Sequence, residues 1–349
     1  MRGSLLRFIK RCQPLWRLGF ALGLLSISVL LPGCSQPDNV VSAVHTLNQR
    51  IASTLNTPPA KLSYTPRPAP MPPVRELKSD GEPAGMSFLT SLQLGHCSAG
   101  QLIAERNSSL GRLEDGLMRY QDDLALLTAL KSCAEHSDSA PIKTELEQAI
   151  ADKRQQLAYD KAQGFATDKA LRHALTVSNT PLSVISDSRF EPPLNALKHL
   201  TEWLKQPTAD AQLANWRQQL AQSDYLPRLM RSTIEMRLKL QQLQQQLPSL
   251  TQAAGCNTRG VPERASILQN VFMQFFIGEV QVTLAALTTQ YQQLKPVLEN
   301  LADQTPQTAL KQYLTELSLQ GEQLTETSKA FVQPWQQLFA DCGFTPGAD

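Results

Sequence analysis

A chain of 349 residues with 33 basic and 31 acidic side chains is close to neutral. No Lys/Arg cluster remains beyond its first 17 residues, so there is no electrostatic case for a nucleic-acid partner. About 315 residues follow Cys34, enough to bury a real core in one large domain or two modest ones. Leu, Ala and Gln dominate, β-branched runs are few, and apolar residues recur three or four apart, which gives an all-α class.

The first element is a leader. Arg2, Arg7, Lys10, Arg11 and Arg17 precede an uncharged run from Leu18 to Leu31, which closes on Leu31-Pro32-Gly33-Cys34. A basic start, a short apolar run and a small residue before a cut describe an export signal. The run falls short of the ~20 residues that a spanning helix needs. A Cys directly after the small residue resembles the bacterial lipobox, with Pro32 where Ala or Ser is more usual. The resemblance implies that residues 1–33 are a signal peptide that is removed, and that Cys34 becomes the new N-terminus. Cys34 would carry acyl chains of the palmitate type, and no other cofactor is expected. Three chains on one Cys exceed the two that stable anchoring takes. Ser35 in place of Asp, by resemblance to enterobacterial lipoproteins, implies the outer membrane, periplasmic face, over the inner membrane. The segment before Cys34 holds five of the 33 basic residues and no acidic one, so the remainder carries 28 against 31, a net charge of about −3.

Residues 34–56 contain one amphipathic helical stripe: Val40, Val41, Val44, Leu47, Ile51 and Leu55. Residues 57–85 are Pro-rich, from Pro58 and Pro59 to Pro83. Such a segment favours extended polyproline II, at roughly 3.1 Å per residue. It reads as a strap over the helical body or a linker, with a Pro-x-x-P ligand as the minor alternative.

Residues 86–345 read as a helical domain, in one piece or as two lobes, 86–206 and 207–345. Helical spacing runs over 98–112, breaks at 111–116 and resumes over 117–134. Ser139 and Pro141 open a helix to about residue 163. Residues 177–189 have loop or β character, and shorter helices follow at 194–205 and 209–222. The helix over 226–247 has Leu226, Met230, Ile234, Leu240, Leu243 and Leu247 on one side. Its opposite side, Gln241, Gln242, Gln244, Gln245 and Gln246, reads as a solvated face. Pro262 starts a helix to about 302, with a kink expected at Pro296. Between Val271 and Leu287 this helix is apolar nearly all round, which predicts the buried centre of a bundle, or the lining of an apolar ligand cavity. Thr305-Pro306 opens a return helix to about 340.

Four cysteines remain once Cys12 leaves and Cys34 takes lipid: Cys97, Cys133, Cys256 and Cys342. Each of two antiparallel hairpins begins after one of them and ends at another, so the expected pairs are Cys97–Cys133 and Cys256–Cys342, each stapling an open hairpin end. No CxxC suggests a redox role.

Catalytic signatures are missing: no G-x-S-x-G, P-loop, dinucleotide fingerprint or H-E-x-x-H occurs. His45, His96, His136, His173 and His199 are scattered and do not make a metal set. The polar cluster Glu105, Arg106, Asn107 stands out. With Ile103, Leu110, Leu113 and Leu117 taken as a buried stripe, Arg106 and Asn107 fall on or beside it and need partners. Glu105, Asp122 and Asp123 are the available acceptors. The cluster reads as a buried ion network that fixes helix register, or as a polar pocket with Glu105 as a weak catalytic acid/base candidate.

The residues from Gln101 to Gly111, just after Cys97 and a Pro-rich lead-in, together with the lipobox, resemble a gammaproteobacterial lipoprotein family known as domain of unknown function 3080. The resemblance implies lineage and an envelope location, and it implies no catalytic residue. The function expected is a lipid-anchored, periplasm-facing helical protein, a non-catalytic interaction or accessory module with an envelope protein as partner. Two alternatives are kept: an envelope enzyme acting on peptidoglycan through Glu105, and a carrier of apolar ligands around Phe272–Leu287. The first lacks a Glu-Ser motif, because Arg106 follows Glu105, and the chain is only 6% aromatic.

Overall fold

Helix α1, Ser42–Leu55, follows its stripe: Val44, Leu47, Ile51 and Leu55 are buried. It stops at Asn56, whose φ of 52° is the left-handed conformation that Asn tolerates better than most residues. The computed structural model describes residues 39–63, 69–77, 94–95, 97–137, 139–247, 249–256 and 260–344. The leader and Cys34 lie outside them, so the lipobox reading has no structural counterpart here. The described parts of the Pro-rich segment, 57–63 and 69–77, lie along the helices as a strap, with a 3₁₀ turn at Val74–Glu76. Met71 and Leu77 are buried.

Helices α2 (Ser98–Asn107), α3 (Gly116–Glu135) and α4 (Ala140–Thr167) form a three-helix arm. Pro141 sits in the first turn of α4, where its missing N–H costs nothing. The Cys97–Cys133 bond joins the start of α2 to the end of α3. The arm has its own small core of Leu94, Ala99, Leu127, Leu130, Leu146 and Ile150. Each such buried Leu or Ile contributes about 1.5–3 kcal/mol.

Short α5 (Lys169–Leu175) leads to α6 (Asp187–Lys205), α7 (Leu213–Gln222) and α8 (Tyr225–Gln246). Helix α6 starts seven residues before the expected 194 and carries Pro192 and Pro193 inside it. The Pro pair costs the helix hydrogen bonds. Burial of Phe190 ahead of the pair and of Leu194 and Leu197 behind it offsets this. Leu204 and Leu213, on the two sides of the 206/207 position, belong to one continuous core.

After α9 (Leu250–Ala254) comes α10, 41 residues from Glu263 to Asp303. Its ends, Glu263–Val271 and Gln281–Asp303, are α-helical, and its centre, Phe272–Val280, is a π-helix. Two expectations are corrected here. The apolar stretch is not buried all round: Met273 is 53% exposed and Val282 62% exposed. The return helix is also two, α11 (Thr308–Ser318) and α12 (Gln320–Asp341). Thr305 does not cap α11; its hydroxyl donates to Leu301 O at the end of α10. Cys256 and Cys342 are bonded, closing the second hairpin as expected.

The glutamine face of α8 is also corrected. Gln246 Nε2 donates to Lys61 O at 3.2 Å and its Oε1 accepts from Lys61 N at 3.0 Å. Gln242 donates to Ser63 Oγ, Gln241 to Thr327 and Gln244 to Ala330 O. Glutamine is used here because an amide can pair both halves of a peptide unit. The face holds the strap and α12, while Gln245 and Gln246 stay exposed as expected.

Candidate functional site

The expected polar cluster lies where α2 turns into α3. Helix α2 ends at Asn107 because Ser108, at ψ 164°, turns the chain out of the helix. A 3₁₀ turn, Gly111–Leu113, follows. The helical period therefore does not continue to Leu110 and Leu113, which are 78% and 74% exposed instead of buried. Asn107 is exposed with them, and so is Glu105.

Arg106 points inward and forms an ion pair with Asp123, one of the three acceptors available to it. Lys153 on α4 reaches the same Asp123 oxygen at 2.8 Å and Asp160 at 2.7 Å. Asp123 and Lys153 are buried. Burial lowers the pKa of Lys153 and its bond to Asp160 raises it. The network Arg106–Asp123–Lys153–Asp160 ties all three helices of the arm together, at the level where the arm's small core gives way to the main one. Leu157 packs against both cores. Alternating charges compensate one another there, and loss of one partner would strand the next.

Beside the network is a cavity of about 300 Å³ lined by Leu102, Glu105, Arg106, Glu114, Asp122 and Leu126. Burial, then the hydrogen bond that its protonated form donates to the Glu114 carboxyl and the charge of Glu114, push Asp122 up to about 7. Asp122 therefore holds its proton up to near neutrality. A carboxyl with that pKa can give or take a proton. Arg106, on the wall of this cavity, is already engaged by Asp123. Glu105 lines this cavity and a shallower one of about 690 Å³ between α2, α3 and residues 207–209.

A second polar centre has no counterpart in the sequence reading. Asp168 is fully buried between α4 and α5. Its Oδ1 accepts from Leu171 N as the cap of α5, and its Oδ2 accepts from Leu117 N and Arg217 Nε at 3.0 and 2.6 Å. Arg217 also reaches Asp115 at 3.3 Å, and Asp115 pairs with Lys169. The one local signal was an Asp ahead of a short apolar-periodic segment, a helix-start pattern. Its partner Arg217 is 49 residues away. The arrangement is structural: the contacts of Asp168 with Leu117, Leu171 and Arg217 close joints between elements.

Among the described residues no group of three His, Cys, Asp or Glu converges as a metal site. His199 stacks on Trp216 at 4.4 Å and His136 meets Ser132 O. His96 lies outside the described residues.

The family described as "Protein of unknown function (DUF3080)" matches residues 44–346 of this chain. No curated protein and no solved structure matches it.

Proposed function

We propose, for a chain that belongs to the DUF3080 family of proteins of unknown function, the part of a lipid-anchored, periplasm-facing module that binds another envelope protein without catalysis. In this reading, residues 1–33 are removed, Cys34 is acylated, and the absence of Asp at position 35, where Ser35 stands, favours the outer membrane, by resemblance to enterobacterial lipoproteins.

The observation that carries it is how soon the folded body begins. Val41 is already buried at 1% exposure, and Val40 N donates to Leu182 O at 3.0 Å. Only 35–39 separate an acylated Cys34 from that point, a reach of about 17 Å. The Pro-rich segment comes after α1 and is held to the body by Asn48, Gln246 and Arg172. It therefore adds no length to the tether. A body held this close to a bilayer suits contact with a neighbouring membrane-bound protein. The enzyme alternative has less support, because Glu105 is exposed at a helix end and Arg106 is spent on Asp123.

Two measurements test this. Metabolic labelling with an alkyne palmitate should mark the wild-type chain and not Cys34→Ser; equal labelling would remove the anchor. In-cell crosslinking of the acylated protein, read by mass spectrometry, should return one reproducible envelope protein. Recovery of glycan alone, lost in Glu105→Gln with folding intact, would replace the module with the enzyme.

A further inference from the structure

The longest helix is more apolar than its packing needs. Over its most apolar window, α10 has a mean hydropathy of 1.5, yet only 33% of that window is buried. Charges are missing from 265 to 278 and again from 280 to 294. Part of this apolar surface meets α12: Phe272 stands 5.0 Å from Trp335 and 5.3 Å from Phe339, and Phe276 is 5.2 Å from Phe331. Beside these contacts the two helices part into a groove of about 520 Å³. Phe272, Phe276, Ile277, Val332 and Phe339 form its floor. Its remaining lining is polar, Gln281, Ser328, Gln333 and Gln336, with Lys329 as the one charged residue. The wall on the α10 side is the π-helix, Phe272–Val280. Wide turns of this kind are uncommon and concentrate at functional sites.

We propose that this groove binds the aliphatic chain of an amphiphile whose anionic head is met by Lys329. The volume lies within the ~300–1,000 Å³ of small-molecule sites, and an apolar floor with a few polar rim groups is the usual make-up of such sites. The sign of the head follows from the rim: Lys329 is a cation and none of the other lining residues is charged. Lys329 does pair with Glu326 at 2.8 Å, but the two side chains are 67% and 71% exposed. A pair so solvated is weak and can be exchanged for a ligand carboxylate or phosphate. The same chemistry could come from a free fatty acid or from the tail of an anionic phospholipid. This inference does not depend on acylation of Cys34.

The test uses the full chain carrying Cys34→Ser, so that no acyl chain of its own competes. Three photoreactive 16-carbon probes are compared: the free acid, the corresponding alcohol, and a phosphatidylglycerol with the reactive chain, presented in vesicles. Crosslinks are expected within 272–281 and 328–339. Val332→Trp, which fills the floor, should cut them at least tenfold with the helical circular dichroism unchanged. Lys329→Glu, at an exposed position that tolerates substitution, should weaken labelling by the acid at least threefold and leave the alcohol unaffected. If Val332→Trp does not fold, Lys329→Glu alone carries the test. Labelling by the acid or by the phospholipid names the source of the chain. Crosslinks outside the groove, or indifferent to both variants, would overturn the proposal.

Discussion

Asn48 and Ala60 exchange two hydrogen bonds: Asn48 Nδ2 donates to Ala60 O at 2.8 Å, and Ala60 N donates to Asn48 Oδ1 at 3.0 Å. One residue later, Gln246 does the same for Lys61. Two side-chain amides, from α1 and α8, thus satisfy consecutive peptide units of the strap, ahead of its 3₁₀ turn. A Pro-rich chain has few N–H groups to offer, so fixing it depends on the few that remain.

The strap should therefore come loose as a unit when these amides are removed. Asn48→Ala with Gln246→Ala leaves peptide groups unpaired, at about 1–3 kcal/mol for each one that stays buried. Hydrogen exchange at Ala60 and Lys61 should rise by at least tenfold, while α10 keeps its protection. Unchanged exchange at these two amides would mean that the strap is held mainly by Met71 and Leu77.

Asp168 should be the costliest single carboxylate to replace. Asp168→Ala removes the cap of α5, the acceptor for Leu117 N and the counter-ion of Arg217 together. Breaking a buried pair from one side costs about 3–5 kcal/mol. Gly116→Ala strikes the same joint: Gly116 has φ +61°, and a Cβ there would come within 2.5 Å of Asp168. Urea unfolding should show both losses. A loss of less than 1 kcal/mol in Asp168→Ala would mean that water replaces all three contacts.

Stability should fall as pH rises through the range where Asp122 titrates. Its folded pKa, about 7, lies above the ordinary 3.8. Proton binding by the folded state is thus the stronger, and the stabilisation is complete below about pH 4 and lost towards pH 7. Burial lowers the pKa of His45, which acts with the opposite sign, since its contribution is lost as pH falls below 6.5. The difference between wild type and Asp122→Asn isolates the carboxyl. The urea midpoint of the wild type should drop relative to the variant between pH 4 and 7. Parallel midpoints across that range would mean that the Asp122 carboxyl is not raised in the folded state.

What the chain disclosed depended on the range of the interaction. The α1 stripe and both disulfide pairs were legible, because periodicity and hairpin connection are local properties. Leu110 and Leu113 were misplaced because the helical period was carried past Ser108, where the backbone leaves the helix. The stretch of α10 over 271–287 was read as buried all round because it is apolar all round, and composition alone does not say which residues meet a neighbour: Met273 and Val282 are exposed. The glutamines of α8 read as solvated because their partner strap lies 185 residues earlier in the chain. Arg106 was rightly singled out, and its partner Asp123 was among the acceptors, but Lys153 and Asp160 come from a helix that no local pattern ties to it.

The two disulfides should differ in the reach of their effect. They close separations of 36 and 86 residues. Chain entropy puts their contributions at about 3.8 and about 4.6 kcal/mol, by a mechanism that is model-dependent. Similar magnitudes need not mean similar consequences. Cys97–Cys133 closes an arm with a separate small core, so Cys97→Ser with Cys133→Ser should raise exchange in α2 and at the Cys133 end of α3 while α8 and α10 stay protected. Cys342 belongs to the main core, with Cys256 packed against it. Cys256→Ser with Cys342→Ser should lower the protection of α8, α10 and α12 together and shift the global unfolding midpoint. If instead the first pair lowered protection throughout, the arm and the body would unfold as one cooperative unit, and the Arg106–Asp123–Lys153–Asp160 network would be the coupling between them.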